Sequence, residues 1–250
     1  MLSILAGKGV HEFFLPARQI FDCASEHFIA NIALVRGRNQ NRPAMRQADD
    51  LLVNRPVDGS RALEEKLAAA LVAHPWMVFE DVSETVSKIA NENASVKSKR
   101  PKVIAIANRM TAALAPYVAC KSGCSECCRM NTVIYEHEAI RLAEVSGRKM
   151  SSLPFRPPSV VHAEGMKFNG KPRPFLVDSK CSVYEDRPLL CRTHHSLRES
   201  ADECSMDIPA AEQVRPPMYD PDVLEAPYRA MNAAYRPMEP CGNIGEFFPD

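Results

Sequence analysis

Residues 101–128 read PKVIAIANRMTAALAPYVACKSGCSECC, an amphipathic stretch that runs directly into four cysteines. Val103, Ala107, Met110, Leu114 and Val118 recur at spacings of three and four, the repeat of one helical face. Pro101 suits the first turn of such a helix, where its missing N–H would be unpaired anyway. The helix delivers the chain to Cys120, and Cys124, Cys127 and Cys128 follow within eight further positions. A helix that ends in thiols predicts a mainly α-helical, irregular domain organised around a cysteine-ligated metal site.

The chemistry of the cysteines supports that expectation. Thiolates are soft anionic ligands that select zinc, iron–sulfur clusters or copper(I) over magnesium or calcium. Cys124 and Cys127 have the two-residue gap that points two sulfurs at one ion, and Gly123 frees the backbone for the turn before them. Cys127 and Cys128 are adjacent, so on an α-helix their side chains would diverge by about 100°. Both can serve one centre only on irregular backbone; otherwise they serve different metals or one is spare. A second half, CSVYEDRPLLCR, spans residues 181–192. Cys181 and Cys191 reach the same site if the chain doubles back at Asp186-Arg187-Pro188. Four thiolates on a dication leave a charge of about −2, which Arg187 and Arg192 can neutralise; ordinary salt bridges are the alternative for both. Tyr184 is a candidate wall of the site. Cys204, within ESADECS, is a further candidate ligand, and so are His194 and His195, just after Cys191. Cys23, Cys241, Trp76 and the methionines read as core residues.

Composition narrows the function classes. Lys+Arg and Asp+Glu number 31 each, a formal net charge of zero, which argues against a basic nucleic-acid surface or a polybasic membrane contact. No run of about 18 apolar residues is present, so no transmembrane helix is expected. The apolar start, Met1 to Ala6, meets Lys8, His11 and Glu12 too soon for a signal sequence. The expected location is the cytoplasm, where thiols stay reduced. Nine cysteines in that setting read first as metal ligands or redox groups.

Three regions follow along the chain. In residues 1–100, Ser60 can cap a helix through Leu63, Leu67 and Leu71 that Pro75 ends, and Ser83 can start another through Val86 and Ile89. Residues 36–46 form a basic loop and residues 91–100 a polar linker. These helices either pack on the rest of the chain or offer a lobe to a protein partner. In residues 101–205, the cysteine region, Glu136–Ser146 reads as a helix closed by Gly147 as a left-handed cap. Residues 151–174 read as proline-rich loop, and 175–177 with 181–184 as a short hairpin. Residues 206–250 hold eight of the twenty prolines and read as an arm wrapped over the domain, with one helix between Asp222 and Tyr235.

Taken together, these residues resemble the YkgJ-type cysteine-cluster family of zinc- or iron-chelating domains. The resemblance rests on Cys120-x3-Cys124-x2-Cys127-Cys128, Phe175-Leu176 before Cys181-Ser182-Val183-Tyr184, Arg187-Pro188-x2-Cys191-Arg192, His195-Ser196-Leu197 and Cys204. It implies a metal site and a mainly helical fold. Family members often carry a cysteine where this chain has Arg173, which puts one ligand in doubt. A related pattern occurs in flagellin lysine N-methylases, which are associated with iron–sulfur ligation. Three functions stay open: a non-enzymatic binder of zinc or iron, an iron–sulfur or zinc enzyme that modifies proteins, and a metal carrier or sensor. The spacing from Cys120 to Cys127 also suits radical S-adenosylmethionine enzymes, but the strand–helix units of their barrel are missing.

Overall fold

The computed structural model describes Leu52–Val53 and residues 60–249, apart from 122 and 208–217. The basic loop, Cys23 and the apolar start lie outside the described residues. The fold is mainly helical, as expected. Helix α1 (Ser60–Ala73) buries Leu63, Leu67, Ala70 and Leu71. His74 leaves the helical region ahead of Pro75, which opens a short 3-10 turn, as steric conflict before proline demands. Helix α2 (Phe79–Ala90) buries Val82, Val86 and Ile89 and carries Glu80 and Asp81 in its first turn, facing the positive end of the helix dipole.

Helix α3 spans Val96–Leu114, so the expected linker is partly helix. Ser95 supplies the missing start signal: its hydroxyl accepts the Ser98 N–H at 3.2 Å. Val96 anchors the added turn in the core, and Pro101 lies inside the helix, not at its start. Helix α4 (Glu136–Ser146) ends at Gly147, φ 69°, the left-handed cap that glycine adopts without penalty. Residues 151–174 are less loop-like than expected. Pro158 opens helix α5 (Pro158–Gly165) from its first position, where proline is preorganised for a helix. Helix α6 (Leu189–Thr193) follows Pro188, helix α7 spans Asp222–Tyr235, and helix α8 (Ile244–Phe247) is capped by Asn243.

Among the described residues the strands form three short antiparallel pairs, more than the single hairpin expected. β1 (Leu52–Val53) pairs with β5 (Met218–Tyr219), and β2 (Val133–Tyr135) with β6 (Cys241–Asn243). β3 (Leu176–Val177) and β4 (Lys180–Cys181) are the expected hairpin, with Asp178 and Ser179 both at positive φ in its turn.

Two cores result. The larger joins α1, α2, α3 and α7 through residues such as Leu67, Val86, Val103 and Leu224; Cys241 is fully buried there, and Trp76 packs at its edge under the Arg109 guanidinium, 3.7 Å from its ring. The smaller joins Ile134, Leu142, Phe175, Val183, Phe247 and Phe248. His137 lies 2.8 Å from both Glu239 and the Tyr228 hydroxyl, while Arg100 reaches Glu239 at 3.3 Å and Asn232 at 2.7 Å. These buried charges are paired, as burial requires.

Candidate metal centre

The chain leaves α3 through a 3-10 turn, Ala115–Tyr117, and enters the cysteine loop. The Ala119 N–H donates to Ser196 O at 2.9 Å, tying the start of the loop to the segment after α6. Cys120 Sγ accepts the Ser196 N–H at 3.2 Å and faces the His194 carbonyl at 3.8 Å. Gly123, φ 91°, makes the turn that lets the Cys124 N–H reach Lys121 O at 3.0 Å. Cys127 and Cys128 lie on a 3-10 turn, Glu126–Arg129. This is the irregular backbone that adjacent ligands require, and their sulfurs hydrogen-bond to each other. The far side of the loop is pinned by Gly170 N–H to Arg129 O at 2.7 Å and Arg173 N–H to Cys128 O at 3.0 Å.

The second half arrives on three supports. Cys181 sits on β4, against the smaller core. Cys191 sits on α6, whose entry is held by one carboxylate: Glu138 accepts the Tyr135 N–H at 3.1 Å and the Leu189 N–H at 3.0 Å, joining the starts of α4 and α6. Cys204 ends a 3-10 turn, Ala201–Cys204, that packs on the Glu126–Arg129 turn; the Met206 N–H reaches Glu126 at 3.2 Å. The thiols influence one another electrostatically. Cys120 senses the charges of Cys127, Cys124 and Cys204. Cys128 senses Cys191 and Cys181, and Cys191 senses Cys127 and Cys181. Among the described residues, no three His, Cys, Asp or Glu side chains are gathered closely enough to hold a metal ion as they stand.

Burial governs the thiols. It pushes Cys120 up to about 11, against the Ser196 N–H. Cys127 is raised because it donates to Cys128 and is buried, and Cys128 is lowered by accepting that bond, with Arg173 adding to the effect. Cys191 is raised by burial against the pull of Arg173. Metal coordination takes the thiolate, so binding here would displace protons.

The other candidates take distinct places. Arg192 is 3% exposed and donates to Arg187 O at 2.7 Å, Glu185 O and Asn108 Oδ1, pinning the loop between Cys181 and Cys191 to α3. Arg187 is half-buried and lies over the Tyr184 ring at 3.8 Å, and Tyr184 is 47% exposed. His194 borders a cleft with Cys127, Arg173, Cys191, Thr193 and Glu225. His195 is buried with Nε2 3.1 Å from Thr111 Oγ1. Sequence spacing gave no sign of the parts played by Arg173, Thr132 and Ser196. Arg173 and Ser196 act through backbone and sulfur contacts and Thr132 through a hydroxyl that accepts from Arg173, none of which leaves a periodic pattern.

His195 yields a pH prediction. Burial, with the nearby positive charge of Arg187, lowers its pKa from 6.5 to about 4. The folded state therefore binds fewer protons than the unfolded state between these values. Its contribution is complete above pH 6.5 and is lost as pH falls toward 4. At about 1.4 kcal/mol per unit, this is roughly 3 kcal/mol. Urea denaturation at pH 7 and pH 4.5 should show this loss, and a His195→Gln protein should show a shallower dependence. Equal slopes in the two proteins would refute the assignment.

Residues 119–208 match the family model CxxCxxCC, described as "Putative zinc- or iron-chelating domain", the resemblance that the residue pattern implies. No curated protein and no solved structure matches the chain. Among the described residues, no helix is long and apolar enough to cross a membrane. The matched segment takes in Cys120, Cys124, Cys127, Cys128, Cys181, Cys191 and Cys204.

Proposed function

We propose that the chain chelates zinc or iron through thiols drawn from Cys120, Cys124, Cys127, Cys128, Cys181, Cys191 and Cys204. The observation that carries this reading is the 3-10 turn Glu126–Arg129, which holds Cys127 and Cys128 and packs against the Ala201–Cys204 turn that ends in Cys204. The donor set fits the metals: cysteine-only ligation suits a zinc ion and an iron–sulfur cluster alike. Ligands from the cysteine loop, the hairpin, α6 and the Ala201–Cys204 turn would be fastened together by one centre. The function is binding, with the metal holding these loops in register.

Anaerobic purification followed by elemental analysis and absorption spectroscopy tests this. Zinc in a colourless protein, or iron with brown charge-transfer absorption, is the expected outcome. A protein that carries neither metal, and takes up neither after reduction and reconstitution, would overturn it.

A further inference from the structure

Cys191 is held from two directions. Its backbone sits on α6, whose first N–H, that of Leu189, is accepted by Glu138 at 3.0 Å. Its sulfur accepts from Arg173 Nη1 at 3.2 Å. Arg173 also grips the cysteine loop. Its backbone N–H donates to Cys128 O at 3.0 Å. Nη2 donates to Cys127 O, to Thr132 Oγ1 and, at 3.5 Å, to Met130 O. One residue therefore spans from the turn that carries Cys127 and Cys128 to the sulfur of Cys191.

The charge of this side chain calls for a counterpart. A guanidinium stays protonated inside a protein and has five N–H donors but no acceptor. Arg173 is half-buried, and its Nε is enclosed with no hydrogen-bond partner. Among the described residues its side chain donates to three oxygens and one sulfur, and none of these belongs to a carboxylate. A cation taken out of water costs stability unless negative charge lies beside it. Carbonyls, a hydroxyl and a neutral thiol do not supply that charge. A thiolate–metal centre does, since four thiolates on a dication leave a charge of about −2.

We propose that Arg173 is a positioning residue of the metal centre. It donates to the Cys191 thiolate, fastens that ligand to the Cys127–Cys128 turn, and offsets the negative charge that the ligands leave on the metal. This rests on the metal-binding reading above and adds to it a residue that is not itself a ligand.

Cobalt(II), added anaerobically to the reduced full chain, tests the role. Its affinity is read by competition with a chelator, and its sulfur-to-cobalt charge-transfer band reports the state of the sulfurs. A hydrogen bond and a positive charge at Cys191 Sγ lower the energy of the sulfur lone pair, so losing both moves the band to longer wavelength. Arg173→Gln is expected to bind cobalt about 10–100-fold more weakly, the usual cost of losing a contact to a metal ligand, with the band shifted in that direction. Arg173→Lys keeps the charge but not the fork, and should recover most of both effects. A residue that served the fold alone would lower the urea midpoint of the metal-free chain and leave the band in place.

An unmoved band or an unchanged affinity in a folded Arg173→Gln would overturn the inference, as would an Arg173→Lys as impaired as Arg173→Gln. Should Arg173→Gln lose its helical circular dichroism, the unaltered chain loaded with an NMR-active cadmium isotope decides. A guanidinium proton of Arg173 coupled to the metal through the N–H···S hydrogen bond is the expected result, and the lack of that coupling would overturn the inference. An unaltered chain that binds neither cobalt, zinc nor iron removes the metal-binding reading and this inference with it; metal bound without dependence on Arg173 removes this inference alone.

Discussion

Stripping the bound metal with a chelator is expected to lower the thermal midpoint by about 10–20 °C while leaving most of the helical circular dichroism in place. Structural zinc supplies about 10–16 kcal/mol in isolated zinc-finger peptides, which have little else to hold them. This chain differs, because the core of α1, α2, α3 and α7 is built from Leu67, Val86, Val103, Leu224 and their neighbours and contains none of the seven candidate ligands. Only the loops that carry the proposed ligands would depend on the metal. A loss of about 5 kcal/mol, at 2–4 °C per kcal/mol for a chain of this size, gives the stated shift. Backbone amides of residues 119–131 and 200–205 should lose hydrogen-exchange protection first. An unchanged midpoint after metal removal, with the removal verified by elemental analysis, would contradict this.

Replacing Phe248 with alanine should cost about 3–5 kcal/mol, the usual range for a buried aromatic. Phe248 is 1% exposed, and its ring meets Phe175 edge-on with centroids 4.9 Å apart. The pair holds up one wall of the site. Phe175 is two residues from Arg173, and its carbonyl accepts the Ser182 N–H at 2.8 Å, next to Cys181. The cavity left by the substitution therefore loosens the hairpin as well as the smaller core. Metal affinity should fall along with the urea midpoint. Val72→Ala, at a side chain 71% exposed on α1, should change stability by no more than about 0.5 kcal/mol. Equal costs for the two substitutions would mean that the smaller core does not support the fold as described.

Much of the helical framework is legible in the sequence, because burial leaves a periodic trace. Leu63, Leu67 and Leu71 mark α1, Gly147 marks the end of α4, and α7 has the bounds Asp222–Tyr235 that its sequence suggests. The discrepancies have physical causes. Proline reads as a helix limit, yet Pro101 lies within α3 because Ser95 and Val96 secure a turn ahead of it, and the prolines of residues 151–174 mask α5 by standing at its start. The β2–β6 pair joins Tyr135 to Cys241, and no local pattern can report a partner so far along the chain. The cysteines announce themselves by spacing. What they surround does not: Arg173 is a single cation between prolines in the sequence, and only the fold shows it against Cys191 Sγ. Arg187 lies over the Tyr184 ring, and a short 3-10 turn carries Tyr184 outward.

Metal K-edge X-ray absorption on the anaerobically purified protein tests the central claim most directly. The account predicts a ligand shell of sulfur alone, at about 2.3 Å for zinc. A shell dominated by nitrogen or oxygen, or no bound metal at the edge, would contradict it.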